Sequence, residues 1–414
     1  MKIFIQIASY RDPQLIPTIE SALENAKRPK NLVFGIARQF HPEDGFDNLD
    51  NYRSDKRFRI LDIPYTESKG VCWARNQVQQ LYKDETYTMQ IDSHMRFEKN
   101  WDDEFIKMIK QLQKNGHPKP LLTGYVSSFD PDNDPQGRVK EPWRMAFDRF
   151  IPEGAVFFLP ETLPGWQGMK NPVTSRFYSA HFCFTLGEFS NEVQHDPEYY
   201  FHGEEISIAV RAYTHGYDLF HPHKVLIWHE YTRKGRTKQW DDDREWHIRN
   251  NASHKKNRQL FGMDGEEMID MGKYGFGSVR TLEDYEKYSG LNFKKRGIQQ
   301  YTLDKQYPPN PYNFKTTEEY ENSFSSIFKH CIDVGYDSVP ETDYDFWVVA
   351  FHGDNDETIF RQDADVNEIN RMKQDPDSYC KVWRQFQTVT KPKYWVVWPH
   401  SVSKGWCDRI TGNL

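Results

Sequence analysis

The sequence predicts an α/β fold, in which an open and largely parallel sheet is followed by a smaller C-terminal α/β or β-rich domain. Three observations predict it. The N-terminal segment runs strand, loop, helix, strand. The apolar runs that end near Ala8, Ile63 and Ile91 each lead into a polar cluster. The residue pattern changes after about residue 275, where Gly275-Phe-Gly and later Pro308-Pro-Asn-Pro interrupt the chain. A length of 414 residues also exceeds one small core and suggests two or three domains. We divide the chain at residues 1–275 and 276–414.

The first strand, Lys2 to Ala8, alternates apolar and polar residues and lacks the long apolar core of a signal peptide. No stretch approaches the roughly 20 apolar residues that span a bilayer, so no membrane partner is expected. Five cysteines are scattered without CxxC spacing, which indicates neither a disulfide framework nor a structural zinc site. Cytoplasmic residence is the expectation. Net charge is -7 and mean hydropathy -0.86, giving no global attraction for a polyanion.

After Ser9-Tyr-Arg-Asp12 the pattern predicts a helix from Leu15 to Ala26, a strand from Leu32 to Ala37 and a third from Phe58 to Ile63. Ser68-Lys-Gly-Val-Cys-Trp-Ala-Arg-Asn76 then opens a helix, and a fourth strand ends in Asp92-Ser-His94. In open α/β sheets ligands bind beyond the carboxyl ends of the strands, so these loops should converge on one crevice. Side chains two apart on an extended segment share a side, so Asp92 and His94 can reach one divalent cation while Ser93 points away. The competing reading is a strand-to-loop junction with two solvated polar residues.

A helix from about Asp102 to Asn115 and a strand after Pro118 follow. Asp130-Pro-Asp-Asn-Asp134 superficially suggests a calcium loop but lacks the terminal Glu and flanking helices, so it is read as a surface loop. Phe177 to Leu186 is the next strand. Glu204 and Glu205 follow Phe201-His-Gly and open a helix. Acids in a first turn complement the helix dipole, but a preceding Gly also lets a carboxylate enter a pocket. A strand from Lys224 ends in His229.

Taken together, Ile7-Ala-Ser-Tyr-Arg-Asp12, Gly70-Val-Cys-Trp-Ala-Arg-Asn76, Asp92-Ser-His94, Phe201-His-Gly-Glu-Glu205 and Trp228-His-Glu-Tyr-Thr-Arg233 resemble the family A glycosyltransferases (GT-A). The match is to the cytosolic GlcNAc-transferases that modify hydroxyproline on a protein, and more distantly to the polypeptide GalNAc-transferases. The resemblance covers residues 1 to about 260. It implies a nucleotide-sugar-binding, Rossmann-like domain that moves a sugar from a UDP-sugar, best GlcNAc or a related hexosamine or hexose, with retention.

The resemblance further implies that Asp92, His94 and His229 bind Mn2+ or another divalent ion, with Asp92 thereby part of the chemistry. Ser9, Arg11 and Arg75 would line the nucleotide and diphosphate, and Glu204 or Glu205 would lie near the sugar and the acceptor hydroxyl. A mixed oxygen and nitrogen set suits manganese better than calcium or magnesium. His181 stands where a small residue is expected at the donor site, so it either shapes the sugar pocket or pairs within the core. Trp166 either stacks on a sugar or packs.

The stretch 231–260 carries Arg233, Lys234, Arg236, Lys238, Arg244, Lys255, Lys256 and Arg258 among Trp240 and Trp246. We read it as a lid that brings Arg233 over the diphosphate. The alternatives are a solvated mixed-charge face, diluted by Asp241, Asp242 and Asp243, and nucleic-acid contact. In the C-terminal part the pattern suggests helices at Thr317 to Val334 and Asp365 to Lys373, and strands near Phe346, Glu357 and Tyr394. Trp383, Trp395 and Trp398 there are candidates for acceptor binding or for core packing. The acceptor is a hydroxyl on a protein, a glycan or a modified base, and the competing function is a noncatalytic nucleotide-sugar or glycan-binding protein.

Overall fold

A computed structural model describes residues 1–233, 235–374 and 379–414, so Lys234 of the basic stretch lies outside the described residues. The chain forms two compact units, one of residues 1–294 and 301–312, the other of 295–300 and 313–414.

The first unit is built on an eight-stranded sheet. Its elements in chain order are β1 (Ile3–Tyr10), α1 (Leu15–Asn25), β2 (Leu32–Phe40), β3 (Phe58–Pro64), α2 (Val71–Gln79), β4 (Tyr87–Asp92), β5 (Met95–Phe97), α3 (Trp101–Lys114), β6 (Pro120–Thr123), β7 (Trp143–Phe150), β8 (Val156–Thr162), β9 (Val173–Thr174), β10 (Phe182–Leu186), α4 (Phe189–Glu192), α5 (Glu204–Thr214), β11 (Asp218–His221) and β12 (Ile227–His229). The sheet order is β3-β2-β1-β4-β10-β6-β11-β9. β1 pairs in parallel with β2 on one side and β4 on the other, so the strand order reverses at β1. That switch point opens a crevice at the carboxyl ends of β1 and β4.

Strands covered on both faces must be apolar on both. Ile3, Ile5 and Ile7 pack with residues of α1 and α3, while Phe4 packs with Val33, Ala74 and Val78 on the α2 side. A helix-sheet-helix sandwich results. The second polar loop is positioned by Gly70, whose φ of 109° only glycine adopts freely and whose Cβ position lies 2.7 Å from the Tyr200 ring. Residues 276–294, placed by sequence with the C-terminal part, belong to this first unit. The Gly275-Phe-Gly punctuation is a tight turn against α5, with Gly277 N–H donating to Thr214 Oγ1 (2.9 Å) and Val279 N–H to the Thr214 carbonyl (3.0 Å).

The strand expected from Phe177 begins only at Phe182. Ser175 Oγ bonds Phe177 at both N–H and C=O, and Ser179 bridges Phe182, so the preceding residues form turns. In the second unit the expected helix Thr317 to Val334 is instead a short helix, Thr317–Asn322, and a strand, Phe324–Gly335, which pairs antiparallel with Tyr379–Thr388. Tyr344–His352 pairs antiparallel with Tyr394–Ser401, and Trp347, Val349, Phe351, Val382 and Val397 fill a shared core. Trp395 packs against that core, whereas Trp383 and Trp398 are exposed.

Candidate functional site

The crevice is a cavity of about 490 Å3 lined by residues from all five sequence motifs. Asp92 closes β4 and His94 follows in the turn before β5. His229 closes β12, which pairs antiparallel with β5 and sets His229 opposite Met95. Residues far apart in sequence are thereby brought together. Their ligand atoms all lie within 4.8 Å of one another, with Asp92 Oδ2 3.3 Å from His229 Nε2 and 3.6 Å from His94 Nε2.

Protonation favours cation binding. Burial acts to raise Asp92, but the His229 hydrogen bond and the Arg75 charge hold it well below the ordinary carboxylate range. Burial lowers His229 to about 4, against the opposing pull of Asp92, so its ring is neutral at physiological pH. His94 is oriented from behind by Asp12, whose Oδ2 lies 2.7 Å from Nδ1 and also accepts from Ser93 Oγ (2.7 Å). Arg236 crowds the same ring nitrogen. Only the Asp12 pairing, with the proton on Nδ1, leaves the Nε2 lone pair free for a metal. One ionised carboxylate oxygen and two imidazole nitrogens fit Mn2+ or a similar borderline ion.

Arg75, buried on α2, bridges the two acids below the crevice. Nη2 donates to Asp92 Oδ1 (2.7 Å) and Nη1 to both oxygens of Glu204 (2.7 and 2.8 Å). Burial pushes Glu204 up, but Arg75 and His195 hold it down at about 2. Cys72, His195 and Glu204 form a second trio of ligand-type side chains. Arg75 already supplies the positive charge there, and burial pushes the Cys72 thiol well up, so we read an ion-pair network.

Glu205 differs from its neighbour. Its Oε1 accepts from the Ala180 N–H (2.9 Å) and its Oε2 from the Tyr125 hydroxyl (2.9 Å). Burial outweighs these bonds and raises it to about 7. Both glutamates start α5 behind Gly203, whose φ of 92° turns the chain into the helix. His181 also lines the crevice. Its Nε2 accepts from Val126 N–H (3.2 Å), its ring stacks on His229 at 4.4 Å, and burial lowers its pKa well below the usual value.

Two sequence expectations need correction. Ser9 does not line the crevice: its side chain is fully buried, with no hydrogen-bond partner for Oγ among the described residues. Arg11 is engaged by Asp44 (2.7 Å) and Asp242 (2.9 Å) and leaves the lining to Ala8, Tyr10 and Asp12. Arg233 does line it, its guanidinium 5.8 Å from the Phe201 ring centroid and 5.6 Å from that of Trp240. Trp166 borders a separate cavity of about 580 Å3 with Trp228. Asp12 and Tyr125 line the crevice and His195 stands behind Glu204; sequence reasoning quoted Asp12 in a motif without a role and missed the other two.

A family model described as Glycosyltransferase (GlcNAc) matches residues 2–57 and 46–295. No curated protein matches the chain in sequence. Among solved structures, GalNAc-T7 with UDP, GalNAc and Mn2+ is similar at 11% identity and TM-score 0.50, over 99% of this chain and 68% of its own. TarS 1-349 of S. aureus in complex with UDP-GlcNAc is similar at 10% identity and TM-score 0.38, over 62% and 70%. At 11% identity the likeness to GalNAc-T7 is one of fold, the GT-A fold. Among the described residues no helix is long and apolar enough to cross a membrane.

Proposed function

Because the chain belongs to the GlcNAc glycosyltransferase family, we propose that it moves GlcNAc, or a related hexosamine or hexose, from a UDP-sugar to an acceptor hydroxyl, with Mn2+ bound and with retention. The observation that carries this reading is the convergence of Asp92, His94 and His229 in one crevice with Glu205. These three would hold the ion, which when bound supplies positive charge against a leaving diphosphate. Arg233, at the mouth, adds a planar cation suited to phosphate oxygens. Arg75 serves the diphosphate indirectly, by holding Asp92 ionised and in place.

The glutamates divide the remaining work. Glu204 has both oxygens on Arg75 and orients it. Glu205, with a pKa near neutrality, can accept a hydrogen bond or a proton from an acceptor hydroxyl at working pH. His181 borders the sugar side and sets which hexose fits.

The test is turnover of a panel of nucleotide sugars, with Mn2+ and with chelator, by the wild type and Asp92→Ala. Metal-dependent hydrolysis of one donor, absent in the variant, names the sugar. NMR of the first-formed anomer then decides retention. Turnover unchanged by chelator or by Asp92→Ala would overturn the metal assignment.

A further inference from the structure

The two glutamates share a support below the crevice that the proposed chemistry does not itself use. Gln90 lies on β4, two residues before Asp92, and is 3% exposed. Both ends of its amide are committed. Nε2 donates to the Ala180 carbonyl (2.7 Å), and Oε1 accepts from His195 Nε2. Beyond each of these neighbours stands one glutamate. The Ala180 N–H donates to Glu205 Oε1 (2.9 Å), and His195 Nδ1 lies 2.8 Å from Glu204 Oε1. His195 is in turn fixed through its backbone, its N–H donating to Gln79 Oε1 (2.8 Å) and its carbonyl accepting from Asn76 Nδ2 (2.8 Å).

We propose that Gln90 and His195 are positioning residues that set the spacing of Glu204 and Glu205, one amide reaching Glu204 through an imidazole and Glu205 through the backbone of Ala180. This rests on the reading of the two glutamates given above. The orientation of the amide follows from its bonds: only NH2 can donate to the Ala180 carbonyl, so the oxygen faces His195 and the imidazole proton sits on Nε2. The contact at Nδ1 is then attractive when that nitrogen also carries a proton, a state that burial opposes and the Glu204 carboxylate favours.

The ring is dry and rigid. His195 is 1% exposed and Glu204 is 4% exposed, so no water replaces a lost contact cheaply. The same rigidity gives the arrangement its effect on rate. A shift of an ångström at a reacting group that nothing else corrects can lower turnover on the order of 100-fold.

The experiment compares His195→Phe, His195→Gln and Gln90→Leu with the wild type, in the full chain with Mn2+. The readouts are donor turnover, UDP affinity by calorimetry and urea stability. In His195→Phe the expected result is a kcat loss of about 10- to 100-fold, with donor KM and UDP affinity changed no more than about twofold. His195→Gln, which can still donate to Glu204, should recover most of kcat. The double variant Gln90→Leu/His195→Phe should be no slower than the slower single variant, because both act through one ring.

An unchanged kcat in His195→Phe, or losses that multiply in the double variant, overturns the inference. So does failure of His195→Gln to recover kcat while its stability equals that of the wild type. Wild-type turnover is the control on the functional reading: if every donor is inert, that reading fails. The inference then stands or falls on the 15N-histidine spectrum of the full chain. There the His195 Nε2 proton must exchange slowly and must lose that protection in Gln90→Leu.

Discussion

Glu205→Gln should make this protein more stable in neutral and alkaline solution while removing its activity. Burial raises Glu205 from 4.5 to about 7 despite hydrogen bonds from Ala180 and Tyr125. In the unfolded chain this carboxyl gives up its proton near the ordinary value, whereas the folded protein keeps it until about 7. Between those values the folded state binds more protons, so the favourable contribution is complete at acid pH and is lost as pH rises through the folded pKa. Roughly 2.5 pKa units at 1.36 kcal/mol each give about 3 kcal/mol. The substituted amide carries no charge and escapes that loss; its oxygen can still accept from the Ala180 N–H, and its NH2 can donate to the Tyr125 hydroxyl oxygen once that hydroxyl turns.

Urea unfolding of both proteins with chelator, from about pH 5 to about pH 8, measures the difference. The variant should gain about 2.5 kcal/mol over the wild type across that interval, the rest having accrued below about pH 5, with nearly all of the gain by pH 7.5. A difference independent of pH would refute the reasoning, since it would mean that Glu205 titrates alike folded and unfolded. Turnover by the variant should fall about 100- to 10,000-fold, the range for a lost general acid or base.

Other perturbations have separable signatures. Arg75→Met leaves Glu204 buried with only His195 opposite it, and should cost about 3–5 kcal/mol in urea unfolding; wild-type stability would exclude the bridge as a structural element. Gly203→Ala forces a side chain onto a backbone with φ 92° and a Cβ within 3.0 Å of Asn257. A loss of about 1–3 kcal/mol is expected, with a drop in kcat because both glutamates shift together. Asp12→Asn weakens the support behind His94 and should reduce Mn2+ affinity about 10- to 100-fold by calorimetry, and equal affinity would show that His94 needs no such support.

Much of the fold was legible because a parallel sheet covered on both faces must spell its strands as apolar runs. Leu32 to Ala37 does so, and Ile3 to Ala8 is broken only by Gln6. What misled was a segment whose local signals disagree with its partner. Thr316 caps a helix and its hydroxyl accepts from Glu319 N–H, which is a true start signal. The helix nevertheless ends at Asn322, and Phe324–Gly335 runs as a strand because Tyr379–Thr388 pairs with it along its length. Nothing within residues 324–335 records that distant partner, and the apolar residues there satisfy helical and extended spacing alike.

The site divides in the same way between residues that announce themselves and residues that support others. Asp92 and His94 stand two residues apart at a strand end, a spacing visible in three letters of sequence, although the strand itself stops at Asp92 and His94 lies in the turn before β5. Asp12, Gln90, Tyr125 and His195 act on another side chain reached only through the fold, so no local pattern marks them. Ser9-Tyr-Arg-Asp12 is the instructive case. Strand alternation puts Ala8 and Tyr10 on one side and Ser9 on the other, and Ala8 and Tyr10 line the crevice while Ser9 is buried away from it. The alternation stops there: β1 ends at Tyr10 and Arg11 has a φ of 47°, so the turn after the strand, not the strand itself, brings Asp12 to the crevice while Arg11 is held by Asp44 and Asp242. Choosing Ser9 and Arg11 followed chemical type, hydroxyl and guanidinium for a diphosphate, whereas the period of the strand already excludes Ser9 and is silent on Asp12.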